Sequence, residues 1–172
     1  MDRLHRPLLF LDVDGPLIPF GGASGHESDS SPLPAWQDGA NPLLAHLDPG
    51  LGPLLSTLAC ELVWATTWMH EANHSVGPAL GLPTLAVVDW PERPDDRIDE
   101  WFGLHWKTRT LIEWAAGRSF IWIDDEIGDG DREWVSAHHG GRALLHRVDP
   151  RMGLQRNDFA TIVEWIDASA DR

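Results

Sequence analysis

The chain has 172 residues, a length that fits one domain, and 42% of them are hydrophobic, enough to bury a sizeable core. A formal charge of −14 opposes broad nonspecific binding to nucleic acid or anionic membranes, though not a local site for one phosphate. No apolar run approaches the roughly 18 residues of a membrane span, and the single cysteine, Cys60, excludes an internal disulfide and suits a reducing cytoplasm.

Leu8-Leu9-Phe10-Leu11 with Val13 is a continuous apolar run, the pattern of a strand buried on both faces of a parallel sheet. It gives way to acids too soon for a signal peptide, so a cytoplasmic protein is expected. Gly15 to Asn41 follows, rich in Gly, Ser, Pro and Asp, and too long for a passive connection; it is a candidate lid, with His26 and Trp36 as candidate substrate contacts. Leu51, Leu54, Leu55 and Leu58 have helical spacing, and Leu62-Val63-Trp64-Ala65 predicts a second strand. Leu85-Ala86-Val87-Val88 predicts a third, after which Asp89 to Gly103 reads as an exposed acidic loop. Leu111, Trp114 and Ala115 mark a helix stopped near Gly117, and Phe120-Ile121-Trp122-Ile123 and Ala143-Leu144-Leu145 predict strands four and five. Phe159, Ile162, Val163 and Ile166 close the chain with a helix capped at Asn157 or Asp158. This alternation predicts an α/β, three-layer, Rossmann-like fold with a mainly parallel five-stranded sheet, built as a single domain over 1–172.

The acids at the strand ends carry the chemistry. Asp12 and Asp14 stand at i and i+2 on an extended chain, which points them to one side, at the carboxyl end of a buried strand where parallel sheets place ligands. Asp124 and Asp125 end the fourth strand in the same way. Four carboxylates converging there repel, and burying them costs several kcal/mol without compensation. A hard divalent cation with oxygen ligands is the natural remedy, and Mg²⁺ fits best. Thr66 ends strand two, where its hydroxyl can donate to a phosphate oxygen beside helix amides. Twelve of the 13 basic residues are arginine, and the one lysine, Lys107, opens the helix before strand four. GC-rich coding explains the arginines, but Lys107 shares a helix face with Leu111 and Trp114, so its ammonium leaves from the inner side.

In order, Asp12-Val13-Asp14-Gly15, Thr66, Lys107 and Asp124-Asp125, with Asp129 four residues on, resemble the four motifs of the haloacid dehalogenase-like (HAD) phosphatase superfamily, over about residues 7 to 148. Leu62 to Trp68 and Trp122 to Asp125 are similar to small HAD domains found alongside RNA-repair modules in bacteria. The resemblance implies that Asp12 attacks phosphorus and that Asp14 serves as general acid and base. It implies that Thr66 and Lys107 bind the phosphoryl group, and that Asp12, the Asp14 carbonyl and one or both of Asp124 and Asp125 hold Mg²⁺. Asp129 would be a supporting acid. The presence of Asp14 points to phosphate chemistry rather than dehalogenation. Two departures stand out: Pro16 removes one backbone N–H beside the phosphate, and no arginine follows Thr66 as it can in nucleic-acid-end phosphatases.

Too little chain is inserted for a full cap, so the site is expected to be nearly capless and open, closed by the 15–41 loop or by a second copy of the chain. The expected partner is a phosphorylated substrate, either a small molecule or a polymer end, with no membrane. The leading expectation is a Mg²⁺-dependent phosphomonoesterase working through an aspartyl-phosphate. Its rivals are a nucleotide or nucleic-acid-end phosphatase, and a phosphate- or protein-binding module without turnover. Among ten tryptophans, Trp64, Trp114, Trp122 and Trp165 are assigned to the core and Trp68 to the site. His138-His139 is read as a solvated helix end rather than a metal pair.

Overall fold

A computed structural model of the chain describes residues 6–20, 41–92 and 97–170. Five strands, β1 (Leu8–Leu11), β2 (Glu61–Trp64), β3 (Ala86–Val87), β4 (Phe120–Asp124) and β5 (Ala143–Arg147), form one sheet in the order β3-β2-β1-β4-β5, every pairing parallel. The helices are α1 (Leu51–Thr57), α2 (Glu71–His74), α3 (Val76–Leu80), α4 (Arg97–Phe102), α5 (Thr108–Ala115), α6 (Asp129–His138) and α7 (Arg156–Ala170), with a short 3-10 turn at Pro42–His46. The expected α/β, Rossmann-like architecture is what the chain forms.

Side chains alternate across each strand, and this splits the core into two layers. Leu9 and Leu11 of β1 join Ile121 and Ile123 of β4 on the face covered by Leu55, Val76 and Ile162 from α1, α3 and α7. Leu8 and Phe10 join Phe120 and Trp122 on the opposite face, under Leu111 of α5 and Val135 of α6. Continuous apolar runs are therefore required, because both faces of the central strands are dry. Phe10 sits edge-on to both Trp114 and Phe120, at 5.5 Å from each. Trp114 thus belongs to the core, as expected, and α5 ends at Ala116, which takes the left-handed conformation just before Gly117.

Several expectations need correction; the last helix begins at Arg156, so Asn157 and Asp158 lie inside its first turn rather than at its cap. The third strand shrinks to two residues, because only Ala86 and Val87 pair with β2 at the sheet edge. The stretch read as an exposed acidic loop contains α4, and Asp99 on it is buried, with one carboxylate oxygen 2.6 Å from Arg109 Nε on α5. Ion pairing lets a helix rich in acids pack against its neighbour. His138-His139 is not simply solvated: His138 stacks on Trp134 at 3.9 Å, and His139 packs against Phe120 with its Nε2 3.0 Å from the Arg118 carbonyl.

Of the candidate lid, residues 21–40, with His26 and Trp36, lie outside the described residues. Its first part is a tight turn: Gly15 N–H donates to the Ile18 carbonyl, and the Leu17 and Ile18 amides donate to Val13. Leu17 and Ile18 are buried, and Leu154 N–H donates to the Pro16 carbonyl at 2.8 Å. Residues 15–18 are thus fixed to the body of the protein. Among the described residues, no helix is long and apolar enough to cross a membrane.

Candidate active site

β1 lies at the centre of the sheet, with β2 on one side and β4 on the other, so the chain order reverses at its carboxyl end. Parallel sheets open a crevice at such a switch point. The tips of β1, β2 and β4 deliver Asp12, Thr66 and Asp124-Asp125 to it.

Asp12 continues the side-chain alternation of Leu8 and Phe10, and Asp124 that of Phe120 and Trp122, so both acids belong to the face that α5 covers. Lys107, the residue before α5, is 2% exposed. Its Nζ lies 2.8 Å from an oxygen of Asp12 and 2.8 Å from an oxygen of Asp124. The one lysine of the chain therefore bridges the two buried acids. Burial works against its charge, but Asp12 and Asp124 outweigh that and hold its pKa above the usual lysine value.

The second oxygen of Asp12 accepts from the Val13 amide at 2.8 Å, which fixes the carboxylate plane. Burial pushes the Asp12 carboxyl up to about 7; the Lys107 ammonium works against this and the Asp124 charge adds to it. One ammonium thus does not fully compensate the cluster.

Asp124 and Asp125 are adjacent but differently placed. Both oxygens of Asp124 are occupied by protein donors: Lys107 Nζ and, at 3.3 Å, Trp122 Nε1 on one, and the Glu126 amide at 3.0 Å on the other. No protein donor outside its own residue holds the Asp125 carboxylate among the described residues. Burial and the neighbouring Asp124 charge raise its pKa. Gly15 makes room for it. A Cβ at position 15 would lie 2.6 Å from Asp125 Cγ, and Gly15 has φ +89°, so only glycine suits the turn.

Asp12, Asp124 and Asp125 each offer an oxygen, all within 4.8 Å of one another. Three carboxylates facing one ammonium, with two of them raised in pKa, suit a hard divalent cation. His105, Asp124 and Glu126 also converge within 4.8 Å. There, however, His105 Nδ1 accepts from the Lys107 amide at 3.2 Å, which leaves the proton on Nε2 to donate to Glu126 at 3.0 Å. In that second group both ring nitrogens of His105 are already engaged, one by the Lys107 amide and one by Glu126.

Asp14 lies at the edge of the site, half-buried, with an oxygen 3.1 Å from the indole Nε1 of Trp68. Trp68 is therefore beside the acids, as expected. Thr66 is fully buried, and its hydroxyl oxygen accepts from the Trp68 amide at 3.2 Å. Met69 in this turn takes φ +50°, an uncommon value for a side chain of its size.

The acid of α6 that faces inward is Asp131 rather than Asp129. Asp129 is exposed in the first turn of α6, whereas Asp131 is 1% exposed. Asp131 accepts from the amides of His105 and Gly128, each at 2.8 Å, and from the Thr108 hydroxyl, so it ties α6 to the segment that enters α5. Gly130 beside it allows the Phe102 carbonyl to approach within 2.2 Å of where a Cβ would stand. Asp129 stands two positions before the residue that faces inward, which on a helix points it to nearly the opposite side.

A Rossmann-like sheet with paired acids at its switch point and a buried lysine across them is the layout of a HAD-like domain. The chain belongs to the family described as the HAD domain in Swiss Army Knife RNA repair proteins, whose profile matches residues 8–159. Neither a curated protein nor a solved structure gave a match.

Proposed function

We propose that this chain is a Mg²⁺-dependent phosphomonoesterase that passes the phosphoryl group through Asp12. The observation that carries the reading is the posture of Asp12: one oxygen on the Val13 amide, the other on Lys107 Nζ, with Asp124 and Asp125 within reach of a shared cation. Asp12 and Asp125, with the Asp14 carbonyl, would hold Mg²⁺. When bound, the cation neutralises charge between the carboxylates and an anionic phosphate. Asp124 gives one oxygen to Lys107 and Trp122 Nε1, so any share it takes in holding the cation falls to the other, which meets only the Glu126 amide.

The protein's own groups then have defined tasks. An Asp12 oxygen attacks phosphorus, the bond from phosphorus to the leaving oxygen breaks, and Asp14 supplies that oxygen with a proton. In the second half, Asp14 takes a proton from water as the water attacks phosphorus. Inorganic phosphate leaves and the Asp12 carboxylate is restored. An ammonium has three donors; Lys107 places two on Asp12 and Asp124, which leaves one for a phosphoryl oxygen. Thr66 accepts from Trp68 N–H and keeps its own O–H for a second phosphoryl oxygen.

The family's description favours a particular phosphate. Its relatives are placed in RNA repair proteins, which supports the terminal phosphate of a nucleic acid, or a nucleotide, as the substrate. The charge of −14 fits a single terminus better than a long stretch of backbone. The test is release of phosphate from an aryl phosphate, with and without Mg²⁺, by the wild type and by Asp12→Asn. Metal-dependent release lost in the variant supports the reading. Binding of phosphate without turnover by both proteins would leave a non-catalytic module instead.

A further inference from the structure

Two tryptophans at the site have no task in that chemistry. Trp106 directly precedes Lys107 and is 41% exposed, although it is among the largest apolar side chains of the protein. Lys107 Nζ stands 5.5 Å from the centroid of the Trp106 ring. The same Nζ is 2.8 Å from Asp12, so the ring centre is within about 8.3 Å of the attacking carboxylate, those two legs end to end. That is within the span of one nucleoside.

Trp106 is also held in place. Trp90 packs edge-on against it at 4.8 Å and 74°, and His105 lies tilted beside it at 5.4 Å. Trp90 is anchored in turn, since its Nε1 donates to the Thr66 carbonyl at 3.0 Å and its ring packs on the core beneath α5. The Trp106 ring is therefore braced from both sides of the phosphate site, through Lys107 and through Trp90 to Thr66. Leaving so large a surface in water is unfavourable by area alone, and a rigid indole loses little freedom when a flat ring covers it. Trp101 makes a useful contrast. It is 84% exposed on α4 and makes no ring or hydrogen-bond contact with the site among the described residues.

Resting on the phosphatase reading above, we propose that Trp106, braced by Trp90, is the stacking platform for the nucleobase attached to the scissile phosphate. Lys107 and the carboxylates select the phosphate, and Trp106 selects what carries it. Stacking tolerates any base, because every base has a π-face, so the platform gives preference for nucleotides over plain sugar phosphates without reading sequence.

The experiment measures kcat and KM for adenosine 3′- and 5′-monophosphate and for ribose 5-phosphate, the sugar phosphate without a base. Wild type, Trp106→Ala, Trp106→Phe and Trp101→Ala are compared. The expected result is a wild-type preference for at least one nucleotide that Trp106→Ala reduces by roughly 5- to 150-fold, mainly through KM. Trp106→Phe retains most of it and Trp101→Ala all of it. Equal losses on nucleotide and ribose phosphate, the same loss in Trp101→Ala, or a wild type indifferent to the base would each overturn the platform while leaving the phosphatase intact. A wild type that cleaves none of the three and releases no phosphate from the aryl phosphate would instead remove the phosphatase reading. Calorimetric binding of the adenosine monophosphates then decides the platform: weaker binding in Trp106→Ala supports it, and equal or absent binding overturns it.

Discussion

The candidate site has a floor and a rim, built from the same residue type. On the floor, Asp12 and Asp124 are buried and share one ammonium, and each remaining oxygen meets a backbone amide. On the rim, Asp125 has no donor from another residue among those described, and Asp14 has one indole N–H. The carboxylates thus differ by partner rather than by kind. A donor on each oxygen fixes the plane of a buried carboxylate and still leaves it lone pairs, whereas a rim carboxylate with one donor or none is free to turn toward a cation or a proton.

Breaking the floor should have the largest effect. Lys107→Met leaves Asp12 and Asp124 facing each other without their cation, and losing one partner of a buried pair costs about 3–5 kcal/mol. Urea unfolding without metal at neutral pH should show this loss. A midpoint equal to wild type would mean that the bridge is not what holds the floor together.

The neighbouring acids Asp124 and Asp125 sharpen the contrast. Asp124→Asn should lower stability in the absence of metal, because it weakens hydrogen bonds from Lys107 and Trp122. Asp125→Asn should leave that stability unchanged or higher, since the charge it removes is one that burial and Asp124 disfavour. Its cost should appear in the Mg²⁺ concentration for half-maximal activity, raised by at least about 10–100-fold, the loss seen for groups that merely support a ligand. Melting curves in chelator and metal titrations separate the two. The same pattern in both variants would erase the distinction between floor and rim.

A pH experiment isolates the uncompensated charge. Asp12 has its pKa raised from 3.8 to about 7 in the folded chain, so between those values the folded state holds a proton that the unfolded state has released. Stability without metal should therefore fall as pH rises through that window. Asp12→Asn removes the penalty. In chelator, its melting temperature should match wild type near about pH 4 and exceed it near about pH 8, by roughly 2–4 °C per kcal/mol relieved for a chain of this size. A constant difference across pH would show that the charge is compensated.

The smallest effect belongs to the rim. Trp68→Phe deletes the indole N–H that meets Asp14 while keeping an aromatic ring. A single such bond is worth about 1 kcal/mol, or roughly fivefold. If it orients the general acid, the rate of the first phosphoryl transfer should fall on alkyl phosphates, whose leaving oxygen needs a proton, and be spared on aryl phosphates. Equal losses on both would leave Trp68 with packing alone.

Much of this layout was legible in the sequence, and for a physical reason. Strands buried on both faces must be continuously apolar, so Leu8–Leu11 and Phe120–Ile123 announce themselves, and acids directly after such runs can only sit at the strand tips. Lys107 was legible through its spacing from Leu111 and Trp114 on one helix face. What escaped depends on pairing across the fold. Asp99 looks like a surface acid until Arg109 is beside it. Asp131 and Asp129 differ by two positions, and only the packing of α6 on the entry to α5 decides which turns inward. Trp90 and Trp106 lie 16 positions apart, and neither carries a motif; their meeting beside Lys107 is a property of the folded chain.

The central claim is that Asp12 carries the phosphoryl group. With an aryl phosphate, whose leaving group needs no proton, Asp14→Asn should still allow the first transfer and block hydrolysis of the product. Rapid acid quench followed by peptide mass spectrometry of that variant in Mg²⁺ should find one phosphoryl group on the peptide containing Asp12, matched by a burst of about one equivalent of the aryl alcohol. No adduct on that peptide, whether or not the aryl alcohol is released, would contradict it.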